Sequence, residues 1–156
     1  MAGYGSDDGF TAYVTAAGYE IPVGSIPAAR QRGSAYIDAL YGDRFTGVPT
    51  GGIDQERSWP RTGASAFGTV LASDLIPKRV EHAAYEAALL ELQAPGSQTI
   101  ITDPAKRVKR QKVDTIEREF FEPSDVASTA PTSSVIEGLL GPLLVPDAPG
   151  IGIWVV

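Results

Sequence analysis

The chain has 156 residues, with no cysteine, 17 glycines, 12 prolines and a formal net charge of −6 at neutral pH. That length suits one domain with an extended arm, and the glycine and proline content sends a good part of it into loops. Without cysteine there is no disulfide framework or thiolate metal site. The acidic balance excludes a globally basic nucleic-acid binder, and no apolar stretch approaches the ~20 residues of a membrane span.

Residues 1–9, rich in Gly and Asp, read as loosely held. Asp7 or Asp8 is placed to cap a first helix over Phe10–Ala17 that Gly18 ends. Ser25 caps a second helix with Pro27 in its first turn. Its apolar stripe runs through Ile26, Ala29, Gly33, Ile37 and Leu40, flanked by Tyr36 and Tyr41 and opposite Gln31, Arg32 and Asp38. Gly42 closes it. Gly33 inside that stripe costs helix propensity, so close approach of a neighbouring helix is the expected compensation.

A loop follows, "DRFTGVPTGGIDQERSWPRTG", holding one of two tryptophans. A short helical turn is predicted at Asp54–Arg57, and Pro60 keeps Trp59 out of the helical region. Trp59, Pro60 and Arg61 are read as the loop's anchor, with the indole a core plug sooner than a contact aromatic. Pro77 to Gln93 forms the strongest helix, with Ser73 or Asp74 near its start. Lys78, Arg79, His82, Glu86 and Gln93 fall on one narrow polar strip, interrupted by Leu89. A helix apolar around most of its circumference belongs in the middle of a bundle.

Beyond it, "KRVKRQKVDTIEREFFE" has no helical stripe and reads as two strands or one bulged strand, with the face switching near Val113-Asp114. "PSDVASTAPTSS" is a low-complexity linker. Ser134 and Glu137 form a capping-box pattern for a last helix, which Pro142 kinks or ends. The expected fold is mainly α: a small helical bundle over residues 1–146, a charged β-ribbon at about 106–122, and an extended C-terminal arm over 147–156.

No catalytic constellation is assembled. His82 sits on a polar strip and reads as a solvated surface histidine, the carboxylates lack metal-loop spacing, and no phosphate-cradling glycine motif occurs. The chain is read as no enzyme, with no metal and no cofactor. Lys106, Arg107, Lys109, Arg110 and Lys112 crowd into one short run. They can track phosphates, guard a strand edge, or meet the acidic half of a neighbour's ribbon, where Asp114, Glu117 and Glu119 lie. The last two readings together are preferred, since no aromatic interleaves the run as a single-strand stacking platform would want. Ile151, Ile153, Trp154, Val155 and Val156 have neither polar partners nor helical period. They dock on their own domain or add to a partner, a portal or a neighbouring subunit.

Taken in order, "AYIDALYGDRFTG", "WPRTG", "IPKRVEHAAYEAALLEL", the ribbon and "VIEGLLGPLL" resemble the head–tail connector (neck adaptor) proteins of tailed bacteriophages, also labelled a DnaT-like single-stranded-DNA-binding family. The likeness covers roughly Asp8 to Leu144. At the ribbon's midpoint the family pattern has a Gly-Pro turn, where this chain has Asp114-Thr115. The resemblance implies a structural protein of the virion neck, made in the host cytoplasm. It implies a dodecameric ring that binds the portal protein above and the next neck or tail-completion protein below. Double-stranded DNA would pass through the ring, with no chemistry and no membrane. The alternative that the second label implies is a single-stranded-DNA-binding, replication-type protein.

Overall fold

The computed structural model describes residues 2–98, 111–113, 116–118 and 133–145. Among these residues the α-helices are α1 (Asp7–Ala16), α2 (Ile26–Tyr41), α3 (Lys78–Gln93) and α4 (Ser134–Leu140). Three two-stranded antiparallel ladders occur among the described residues. They are β1 (Val48–Pro49) with β2 (Arg61–Thr62), β3 (Ser65–Ala66) with β4 (Thr69–Val70), and β5 (Gln111–Val113) with β6 (Ile116–Arg118). The fold is mainly α.

α3 is the central helix, packed against α1, α2 and α4. One side of it enters a cluster built on Ile37, Tyr41, Phe45, Trp59, Ile136 and Leu140. The other side, through Tyr85, Ala88, Leu89 and Leu92, meets Phe10, Val14 and Ala29. The α2–α3 approach is close enough to need Gly33. A Cβ there would stand 2.6 Å from the Ala88 amide nitrogen and 2.7 Å from the Ala84 carbonyl oxygen. Both are backbone atoms that cannot move aside alone, so the missing side chain sets the helix separation.

The caps follow local chemistry, with three shifts from expectation. α2 begins at Ser25, whose hydroxyl accepts from the Ala28 amide, and ends at Gly42. α1 starts earlier than predicted because Ser6, not Asp7 or Asp8, is its cap, accepting from the Gly9 amide. α3 begins after Pro77 with no side-chain cap, so neither Ser73 nor Asp74 serves there. α4 is preceded by Ser133, again without a side-chain bond, so the Ser134–Glu137 capping box is not formed. Pro142 does stop that helix, which tightens into a 3-10 turn at Gly141–Leu143. The turn predicted at Asp54–Arg57 lies slightly earlier, at Gly52–Asp54.

Residues 2–9 correct the expectation of a loose start. Tyr4 is 3% exposed and belongs to the main core. Its amide donates to Ser34 Oγ at 2.8 Å, and Arg30 Nη2 donates to the carbonyls of Gly3, Tyr4 and Gly5. Arg30 also pairs with Asp7. A segment without helix or strand has its backbone groups to satisfy, and here α2 supplies the partners. Gly5, at φ 68°, faces the Tyr85 hydroxyl, which accepts from the Ser6 amide at 3.0 Å.

The ribbon is two strands and not one bulged strand. Val113 pairs with Ile116, Lys112 with Glu117 and Gln111 with Arg118. Two residues, Asp114 and Thr115, separate the strands. The predicted arm at 147–156 lies outside the described residues.

Candidate assembly surface

The long loop between α2 and α3 is held at three points. Trp59 is 1% exposed and meets Phe45 edge to face, with ring centroids 5.5 Å apart. Its amide donates to the Tyr4 hydroxyl at 3.2 Å, which ties the loop to the N-terminal strap. The Tyr4 hydroxyl in turn donates to Asp38. Asp38 also accepts from the Ser58 amide and pairs with Arg57 at 3.2 Å. Arg57 reaches on to the carbonyls of Ala2 and Gln31. Strap, loop and α2 are therefore one polar network centred on Asp38, a residue that helical periodicity places on the outer face.

Pro60 follows Trp59 through a cis peptide bond, and its carbonyl accepts from Gln55 Nε2 and the Thr50 amide. Arg61 is 6% exposed. Nε donates to the Thr46 carbonyl, Nη1 to those of Gly42 and Ser58, and Nη2 to those of Phe45 and Gly47. A guanidinium has five N–H groups, and here each has a backbone carbonyl. Burial pulls the Arg61 guanidinium below its ordinary pKa.

Protonation is uneventful around this core. Burial raises Tyr4, and Asp38 adds to the shift. Burial and then the Glu86 hydrogen bond raise Tyr13, while burial pushes Tyr41 up to about 12. These phenols stay neutral at physiological pH and act as hydrogen-bond donors or packing groups. His82 is half-buried, its ring 4.7 Å from Tyr13 and 6.2 Å from Tyr85. It is not the solvated histidine expected, because α1 lies over that strip. Tyr13 donates to Glu86 at 2.7 Å, and Leu89, the exception on the strip, is buried beneath α1 with Phe10 and Val14. Among the described residues no group of His, Asp and Glu gathers to hold a metal, and no helix is long and apolar enough to cross a membrane.

A cleft of about 510 Å³ opens where the strap, the loop and the start of α3 meet. Arg57, Trp59, Lys78, Glu81 and Tyr85 line it with backbone from Gly3 to Ser6. Its cations are already engaged, Arg57 with Asp38 and Lys78 with Glu81.

That pattern holds throughout the body. Arg30 pairs with Asp7, Arg32 with Glu91, Arg57 with Asp38 and Lys78 with Glu81. Arg61 is spent on carbonyls. Arg79 donates to the Leu139 carbonyl and lies over the Phe67 ring, and Arg44 lies over Tyr41. Residues 2–98 and 133–145 carry these seven cations against twelve carboxylates. Of the exposed large apolar side chains among the described residues, half lie in the loop region: Val48, Ile53, Phe67, Val70 and Leu75.

Of the remaining predicted site residues, Lys112 stands opposite Glu117 in the β5–β6 ladder. Lys106, Arg107, Lys109, Arg110, Asp114 and Glu119 lie outside the described residues, as do Ile151, Ile153, Trp154, Val155 and Val156. Sequence reading missed Arg30, Ser34 and Asp38, whose partners are backbone groups and residues distant along the chain. The shared small-residue face of α2 around Gly33 was the available hint that something packs tightly there.

The model of the family described as "Putative DnaT-like ssDNA binding protein" matches residues 3–156, and the chain belongs to that family. No curated protein and no solved structure matches it.

Proposed function

We propose that the protein is a structural head–tail connector of a tailed phage. It forms a ring beneath the portal, joins capsid to tail and lets duplex DNA pass. The observation that supports this reading best is the commitment of the body's cations. With four in ion pairs, one on carbonyls and two over aromatic rings, each of the body's seven described cations already has a partner. A net acidic body suits a channel along which DNA slides, because a basic lining would hold each phosphate it met. The exposed apolar loops suit protein contacts. The motif order from Asp8 to Leu144 adds the resemblance to neck adaptors. On this reading the partners are the portal protein, a downstream neck or tail-completion protein, and further copies of the chain.

The family's description supports a second reading, binding of single-stranded DNA. Given the engaged body, that activity would fall to Lys106, Arg107, Lys109, Arg110 and Lys112. Titration of the purified chain with a labelled oligonucleotide at rising salt separates the two. Five phosphate contacts on a single strand give a slope of log K against log salt of about −3.5, which glutamine at all five positions would remove. The connector reading expects weak binding that those substitutions barely change. Tight, salt-steep binding by a monomer would overturn it.

A further inference from the structure

The β3–β4 hairpin exposes apolar groups where an acidic body would normally show charge. Phe67 at its tip is 75% exposed and held at φ 52°, a left-handed conformation unfavourable for an aromatic residue. Val70 beside it is 73% exposed. β4 pairs with β3, and among the described residues no strand pairs with its other edge. The surface continues toward Val48. Val70 stands opposite Ser65, the Thr46 hydroxyl donates to the Ser65 carbonyl and accepts from its amide, and Val48 stands opposite Thr62. An open edge flanked by apolar side chains is a template for another strand.

The same chain contains a strand-prone segment to match. Ile151, Ile153, Trp154, Val155 and Val156 are β-favouring and uncharged. Phe45 and Leu144 form an antiparallel bridge, the Thr46 amide donates to the Leu143 carbonyl, and the Val145 amide donates to the Arg44 carbonyl at 2.7 Å. At that bridge the described backbone, Leu143–Val145, runs antiparallel to Arg44–Thr46, toward the end of α2 and away from Val48. Residues 146–156 span up to about 35 Å when extended, enough to reach an adjacent subunit.

The geometry points to segment Ile151–Val156 of one copy adding as a strand to the free edge of β4 in the next, covered by Phe67 and Val70. This rests on the ring assembly proposed above and names its contact. The contact is heterologous: each copy gives its segment once and receives one once, so repetition builds a ring where the rotation between copies closes.

Because the chain has no cysteine, the contact can be trapped by disulfide formation in assembled particles. Chains carrying Val70→Cys together with Ile153→Cys, Trp154→Cys or Val155→Cys would be incorporated, oxidised and run on a non-reducing gel. At least one pairing is expected to give a ladder of covalent multimers. Particles built from a mixture of the matching single variants should give the heterodimer. A link that migrates as a monomer would place the segment on its own hairpin and overturn the inference. Assembled particles showing no link for any of the three positions would also overturn it, leaving the connector role standing. Failure of the wild-type chain to enter particles would remove the connector role and this inference together.

Discussion

Trp59→Ala is expected to cost about 3–5 kcal/mol, read as a fall in melting temperature of about 10 °C for a chain of this size. The indole is the largest fully buried side chain among the described residues. Its Nε1 has no hydrogen-bond partner among the described residues, so its contribution is packing. It stands between the 510 Å³ cleft and the Phe45 side of the core. The ring belongs to the cluster that also holds Tyr4, Ile37, Tyr41 and Phe45, so alanine would leave its void inside the main core. Its amide bond to Tyr4 is backbone and survives the substitution, so the measured loss would isolate the ring. An unchanged melting temperature would show that the loop is pinned elsewhere.

Arg61→Met should be nearly as damaging, by about 3 kcal/mol or more. Methionine keeps an unbranched stem of similar bulk but removes all five donors from carbonyls on both limbs of the loop. Buried carbonyls left without partners carry their full desolvation cost. Arg61→Lys should lose less but still fall short of the wild type, since a single ammonium cannot present five N–H groups in one plane. Urea midpoints of the wild-type chain and the two variants check this. Equal midpoints for the wild type and Arg61→Met would mean that water serves those carbonyls as well as the guanidinium does.

The two sites bear on how the loop works in the proposed role. Trp59 and Arg61 fix its base, while Val48, Ile53, Phe67 and Val70 are presented outward from the segments around it. A rigid base lets exposed apolar groups serve as a defined contact instead of a collapsing surface.

Much of the fold was legible because its signals are local. Ser25 and Gly42 bound α2 as caps do, the alanine-rich face of α3 required neighbours on several sides, and Gly33 marked a close crossing. A single tryptophan beside a proline in a glycine-rich loop pointed to an anchor. The rest depends on groups that a one-dimensional reading hides. Arg30 and Arg61 look like surface cations until the carbonyls of Gly3–Gly5 and Gly42–Gly47 are folded around them. The polar strip of α3 looked solvated until α1, with Tyr13 reaching Glu86, was laid across it. Asp38 lies on the outer face of α2 by periodicity, and only the return of Ser58 and Tyr4 makes it a hub. The ribbon was legible as strand because it carries no helical stripe, yet the choice of two strands over one bulged strand, and their register, required the backbone. The basic run and Ile151–Val156 remain sequence-level proposals, because they lie outside the described residues, Lys112 excepted.

The central claim is that this protein acts by assembling with other proteins. Copy number per intact phage particle, by quantitative mass spectrometry, tests it most directly. A connector ring predicts about twelve copies in every particle; a chain missing from particles, or present at well under one ring, would contradict it.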